Sequence, residues 1–462
     1  MDHRIDQGVD HGMDHGVDHS AVSLTADDIR SLVRPDHVHR RAYADEAVFQ
    51  LEQERIFGRL WIYVAHESQL KKPGDFIRTR LAHHEILVTR HNDGRIYVLQ
   101  NRCPHRGARL CMVDQGSSRL FSCPYHAWVF RPDGSLSTVP HRKSYPDSFS
   151  VDDPQHHMMR IDKVESYRGF VFATLNPDPE PLAAQLGPMT DIIDNLVDRA
   201  PDGEVEIADS SFTLEYRGNW KLHLENAADV FHPSFVHSSS VGPARRAPAN
   251  ASILDSDQTR EMLMANGFSV DDWERIQLTG LAGGHTFMTN IYTAGALVND
   301  DTDPVAARYK AALAARLGAE RAASVLGMNR FNNIIYPNLV LNAQHQQMRV
   351  TIPVAVDRTI VRVHCFRLKG APDEMFHRAV RFLSTLGSPA SMIFSDDVEM
   401  LERCQQGMAQ NGGRDGEMWV DFSRGFDADR HAKSGEVSGA ASEMPMRNQF
   451  RAWVDYMTAE TA

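Results

Sequence analysis

Two short stretches decide how this chain must fold: Cys103-Pro104-His105-Arg106-Gly107 and, after a segment running from Ala108 to Ser122, Cys123-Pro124-Tyr125-His126. Each carries one cysteine and one histidine. A set of two cysteines and two histidines suits tetrahedral zinc, or a two-iron cluster with two thiolates on one iron and two imidazoles on the other. The spacing separates the two readings. Zinc fingers put both cysteines on one ligand pair and both histidines on the other, whereas here each loop supplies one of each, as is needed when both loops must reach both metal atoms. Pro104 and Pro124 stiffen the loops and remove a backbone donor, while Gly107 permits a tight turn beside the metal.

Cys-x-His-Arg-Gly and Cys-x-x-His-x-Trp, the latter completed by Trp128, resemble the Rieske [2Fe-2S] motif. The surrounding sequence reads as a small all-β domain. Asp75-Phe76-Ile77 and Glu85-Ile86-Leu87-Val88-Thr89-Arg90 have strand character, and Asn92-Asp93-Gly94 turns the chain into Arg95-Ile96-Tyr97-Val98-Leu99. Pro132-Asp133-Gly134 supplies another turn after Trp128-Val129-Phe130, and residues 169–175 form a further strand. Asn176-Pro177-Asp178-Pro179-Glu180-Pro181 then breaks regular structure and marks a domain boundary.

The chain beyond it mixes the two periodicities. Helices are expected at 182–197, 220–231, 304–326, 374–386 and 395–408, and strands at 211–217, 333–341, 349–353 and 359–368. That pattern gives an α+β domain on an antiparallel sheet, with no Gly-rich phosphate loop following a strand. Upstream, residues 24–60 look helical, including the run Glu46-Ala47-Val48-Phe49-Gln50-Leu51. The expected domains are thus a disordered tail (1–22), a helical segment packing on the catalytic domain (23–45), the cluster domain (46–176) and the catalytic domain (177–456). The tail holds a near-repeat, GVDH-GMDH-GVDH at 8–19, with almost nothing to bury. It reads as solvated chain rather than as a metal site.

A second set of ligands lies in the later domain. The run from Asn219 to Pro233 begins as a good helix, and Pro233 disfavours helical geometry at His232, so the helix is expected to end about there. The break matters because in one unbroken helix His232 and His237 would project about 140° apart. Two neutral imidazoles and a carboxylate on one face of a ferrous ion leave positions open for dioxygen and substrate. For the carboxylate, Ser395-Asp396-Asp397-Val398-Glu399 opens a helix. Asp396 with Glu399 fits a capping box, which frees Asp397 to turn inward as ligand.

The pattern Glu225-Asn226-x-x-Asp229-x-x-His232-x-x-x-x-His237, with Asp396-Asp397 following later, resembles the catalytic domain of the ring-hydroxylating oxygenases. The likeness covers nearly the whole chain and implies a helix-grip type of catalytic domain. It implies that Cys103, His105, Cys123 and His126 hold the [2Fe-2S] cluster and that His232, His237 and Asp397 hold mononuclear Fe(II). Asp229 then bridges the two centres between neighbouring subunits of a ring of three, and Asn226 lies beside the iron. Electrons come from NADH through a reductase, with or without a ferredoxin, and the implied reaction is cis-dihydroxylation of a small aromatic substrate by O2. A monooxygenase or demethylase uses the same ligands, and so stays open. A pure electron-transfer Rieske protein would need only the β domain. Segments 402–407 and 444–453 are similar to dioxygenases that pair with a small β subunit, so an α3β3 assembly is expected, with a homotrimer as the alternative.

A net charge of -12 disfavours nucleic acid and anionic membranes as partners, and no apolar stretch approaches the length of a membrane span, so a cytoplasmic location is the expectation. Cys111, Cys365 and Cys404 read as small buried hydrophobes, Phe231, Ile393 and strand residues 338–341 as candidate pocket wall, and Arg349 as surface charge in preference to a group that binds a substrate carboxylate.

Overall fold

The computed structural model describes residues 24–208, 211–239, 241–242, 273, 275–291, 302–391, 393–410 and 418–459. The expected disordered tail lies outside them.

Alternating apolar residues in Asp75–Leu81, His84–Arg90 and Ile96–Gln100 build the centre of a five-stranded antiparallel sheet, closed by Arg160–Ile161 on one edge and Gln115–Ser117 on the other. A second sheet pairs Phe170–Thr174 with both Lys163–Tyr167 and Ile62–His66. Every residue of Phe170–Thr174 and Ile62–His66 is buried, because these strands lie between the cluster domain and the later domain. Tyr63, for instance, exchanges two hydrogen bonds with the Asn338 amide. A small three-stranded sheet, Phe121–Ser122, Val129–Phe130 and Leu136–Thr138, presents the second cysteine loop.

The later domain is α+β, as expected, on a nine-stranded antiparallel sheet. Its long strands Gln347–Ala355 and Arg358–Leu368 pair in the middle, and helices Trp220–Ala228, Asp373–Leu386, Phe394–Ala409 and Met444–Thr458 cover it. Several expected elements are shorter. The single strand expected over 333–341 is a hairpin, Arg330–Ile335 and Leu339–Asn342, turning at Tyr336-Pro337-Asn338, because proline cannot donate to the ladder. The helix expected over 182–197 breaks at Gly187-Pro188, and that over 304–326 breaks at Gly318. Residues 24–60 form three short helices rather than one.

One buried acid ties the ends of the chain to the helix that carries the site. Glu52, on helix Glu46–Arg55, accepts from Trp220 Nε1 at 2.8 Å, Trp453 Nε1 at 2.7 Å and Lys221 Nζ at 2.5 Å. Glu52 and Trp220 are fully enclosed, and Lys221 is buried with them. Such a pair tolerates no missing partner, since removing one leaves an uncompensated charge in the interior. Glu52→Ala is expected to cost about 3–5 kcal/mol, read as a lower urea midpoint; a change within about 0.5 kcal/mol would contradict this bonding.

Candidate metal centres

The two cysteine loops are built alike. In each, the cysteine carbonyl accepts from the N–H four residues on, Gly107 at 2.9 Å and Ala127 at 3.0 Å. Each cysteine N–H donates to the carbonyl five residues on, Ala108 at 2.8 Å and Trp128 at 2.7 Å. Gly107 and Ala127 occupy the same place in the two turns, and both have positive φ, +74° and +54°. Glycine accepts this without cost, whereas alanine is held there by the turn.

The loops bring Cys103 and Cys123 into the interior of the domain and leave the imidazoles at its rim. The rings of His105 and His126 are 4.8 Å apart, and His105 stacks on Trp128 at 4.9 Å. Burial, with His126 and Arg106 nearby, keeps the His105 pKa below its ordinary value, so its nitrogens are available as donors to a metal. One cysteine and one histidine from each loop make the donor set of a two-iron cluster with two thiolates and two imidazoles. Among the described residues the only group of three or more His, Cys, Asp or Glu whose ligand atoms lie mutually within 4.8 Å is elsewhere in the chain.

That compact group is His232, His237 and Asp397. Its geometry starts at the end of helix Trp220–Ala228, which Asn219 caps by accepting from the Lys221 N–H. The helix ends at Asp229, three residues before the expected stop at His232. Asp229 has extended backbone angles, while His232 is helical in conformation despite the proline after it. The cause is local: Asp229 Oδ1 accepts from the Phe231 N–H at 2.8 Å and Oδ2 from the His232 N–H at 3.3 Å, so its side chain replaces the helical partners. Pro233 then starts the short helix Pro233–Val236, and His237 follows it.

Asp229 also fixes the ring. Its Oδ2 lies 3.2 Å from His232 Nδ1, which turns His232 Nε2 towards Asp397 Oδ1 at 3.3 Å. His237 Nε2 reaches the same oxygen at 3.3 Å. Two ligands about 2.1 Å from one ion and at right angles are about 3 Å apart, so the set fits a single metal. Asn226 Nδ2 donates to Asp397 Oδ1 at 3.0 Å and sits 3.2 Å from His232 Nε2. The sequence-derived candidates Asn226, Asp229, His232, His237 and Asp397 are thus brought together. Burial opposes charge on His232, but its hydrogen bonds to Asp229 and Asp397 hold its pKa up at about 9. Burial likewise opposes charge on Asp397, and its bonds to the two imidazoles overcome this and hold its carboxyl below the usual range.

Four expectations need correction. Asp396 does not cap its helix. Phe394–Ala409 begins at Ile393 without a side-chain cap, and Asp396 Oδ2 instead accepts from Ser239 Oγ at 2.8 Å, 3.7 Å from His237 Nδ1. It lies near His237 Nδ1 but beyond hydrogen-bond distance, unlike Asp229 at His232. Arg349 is no surface charge but lines the pocket over the metal set. Phe231 stacks on Trp273 at 4.4 Å and lies outside that pocket, as do residues 338–341, whereas Ile393 lines it. Cys404 is exposed, unlike Cys111 and Cys365. Arg424 was not singled out from sequence; its Nη2 lies 3.6 Å from Asp229 Oδ1 and 3.2 Å from Glu443 Oε1, and only the fold brings these residues together.

Fold and site together define a two-centre iron oxygenase. Residues 60–165 match the Rieske [2Fe-2S] domain family and residues 207–460 the family Ring hydroxylating alpha subunit (catalytic domain). The chain belongs to the ring-hydroxylating α-subunit family, and its part is that of a terminal oxygenase that receives electrons from other components. It is 34% identical to the 2-halobenzoate 1,2-dioxygenase large subunit of Burkholderia cepacia, over 84% of this chain and 79% of that one. It is 33% identical to the toluate 1,2-dioxygenase subunit alpha of Pseudomonas putida, over 85% of each. The fold is similar to that of naphthalene 1,2-dioxygenase solved with indole in the active site, with a TM-score of 0.76 at 23% identity over 94% of this chain and 95% of that one. No helix among the described residues is long and apolar enough to cross a membrane.

Each centre should be removable alone. Cys103→Ser is expected to abolish the cluster's visible absorbance and leave the other iron, and Asp397→Ala the reverse. Asp396→Asn should keep both sets of ligands but weaken mononuclear iron binding about 10- to 100-fold. Unchanged iron affinity, measured by chelator competition, would remove Asp396 from the site.

Proposed function

We propose that this chain is the large subunit of a multicomponent dioxygenase that adds both atoms of O2 to an aromatic ring as a cis-diol, using two electrons from NADH. The observation that carries this reading is the convergence of His232, His237 and Asp397 at a pocket walled on its other sides by apolar residues such as Val230, Met288 and Phe331 together with a few polar ones. In this reading residues 46–176 house the cluster, 177–456 house the mononuclear iron, and 23–45 pack on the latter. Cys103, His105, Cys123 and His126 would hold the cluster, and His232, His237 and Asp397 the ferrous ion. When bound, the cluster supplies electrons one at a time, and the ferrous ion supplies the open positions at which O2 is activated for attack on the ring.

The chain's own residues do the positioning. Asn226 donates to Asp397 and leaves its carboxylate one orientation. Asp229 holds His232 by the nitrogen facing away from the metal and stabilises the proton on Nδ1, which makes the imidazole a better ligand. Val230, Met288, Ile291, Phe331 and Leu386 line the pocket with apolar surface that keeps water from the reacting ring.

Assembly into a trimer, alone or with a small β subunit, is supported by apolar side chains left exposed on the cluster domain: Met112, Val113, Leu120, Tyr125 and Met159, each at least 49% exposed. A neighbouring subunit would cover them and bring the cluster beside that neighbour's Asp229. Electron supply through a ferredoxin or an NADH reductase follows from the family's reaction, and the need for NADH supports a cytoplasmic location.

Labelled dioxygen tests the reaction. Two labelled oxygens in a cis-diol are expected, whereas one in a phenol, or a released aldehyde, would make the enzyme a monooxygenase or demethylase. Asp229→Asn should retain both iron centres and lower product formation by about 10²-fold or more; full activity would exclude Asp229 from the electron path.

A further inference from the structure

Arg349 comes from the middle of the sheet, on Gln347–Ala355 opposite Val340 and Val363, and projects into the pocket that holds Asp397 and both histidines. Among the described residues its single hydrogen-bond acceptor is Asn332 Oδ1, 2.6 Å from Nη2. Nε is buried and meets no acceptor. The acid whose charge acts on it is Asp397, which is already bonded to the two imidazoles.

The pocket's two acids are engaged elsewhere. Asp397 is bonded by His232, His237 and Asn226, and Asp229 by His232, the Phe231 N–H and Arg424. Burial draws the Arg349 pKa down to about 10, against the pull of Asp397, so it remains protonated at neutral pH. A half-buried cation with unmet donors beside a metal site is costly unless an anion arrives to meet it.

The arginine is also fixed in place. Asn332 Oδ1 accepts a second bond from Asn342 Nδ2 at 3.1 Å, the Asn332 N–H donates to Asn342 Oδ1 at 2.6 Å, and Asn332 Nδ2 donates to the Ala227 carbonyl at the end of the site helix at 2.8 Å. The guanidinium is therefore anchored to the end of the helix from which the segment bearing His232 and His237 departs. We propose that Arg349 binds the carboxylate of an aromatic acid, so that the ring is presented to the metal site by its acid group and neutral aromatic hydrocarbons are poor substrates. This rests on the dioxygenase reading and narrows it. The planar fork of arginine matches a carboxylate through two N–H groups, which a lysine in its place could not reproduce.

Benzoate and toluene, similar in shape and different in charge, provide the test with purified holoenzyme. Benzoate binding, followed by calorimetry, and turnover of both compounds are compared in the wild type, Arg349→Met and Arg349→Lys. Arg349→Met is expected to weaken benzoate binding and raise its KM on the order of a hundredfold, with iron content and cluster spectrum unchanged and the preference for benzoate over toluene lost. Arg349→Lys should recover part of the benzoate affinity. Benzoate affinity within about threefold of wild type in Arg349→Met, or a wild-type preference for toluene, would overturn the assignment. Arginine-dependent binding of benzoate without oxidation of either compound would leave it standing and defeat the dioxygenase reading instead.

Discussion

The contact between Asp229 and His232 organises the catalytic domain around its site. One carboxylate ends the helix by accepting two backbone N–H groups, and it holds the imidazole by the nitrogen that faces away from Asp397. Were the helix to continue, His232 and His237 would face different ways. Because it stops at Asp229, both Nε2 atoms reach the same oxygen of Asp397 on another helix. Local chain geometry and ligand geometry thus have one cause.

The rest of the fold keeps that arrangement from moving. Glu52 joins the N-terminal segment and the C-terminal helix to Trp220 and Lys221 in the first turn of the site helix. Asn332 fastens the far end of the same helix to the sheet through the Ala227 carbonyl. The site helix is held at both ends by buried polar groups, and only at its broken end does the chain leave regular structure to place ligands. The cluster loops use the same device of a tight turn, with Gly107 and Ala127 at matching positions.

Much of this was legible in the residues. Candidate ligands are recognisable by type and spacing, so the two Cys-His loops and the His232, His237 and Asp397 set could be proposed from the residues alone. Strand alternation gave the antiparallel character of both domains. What sequence could not supply were contacts made across the fold. Asp396 fits a capping box by local pattern, yet Ser239 claims its carboxylate near His237. Arg349 lies in a strand that is buried almost throughout, and only the packing of the sheet against the site helix places its side chain in the pocket. Pro233 was the visible helix breaker, but the break was made by Asp229, whose side-chain hydrogen bonds no propensity scale registers. Gly318 and the Gly187-Pro188 pair were readable stops that yielded to a longer apolar periodicity.

The central claim is that one chain holds two different iron centres at these ligands. Anomalous X-ray scattering at the iron edge, on crystals of anaerobically purified protein, tests it most directly. The account requires a two-iron peak among Cys103, His105, Cys123 and His126 and a separate single peak among His232, His237 and Asp397. Scattering from zinc in the cysteine loops, or iron at one of the two places only in protein that is active, would contradict it.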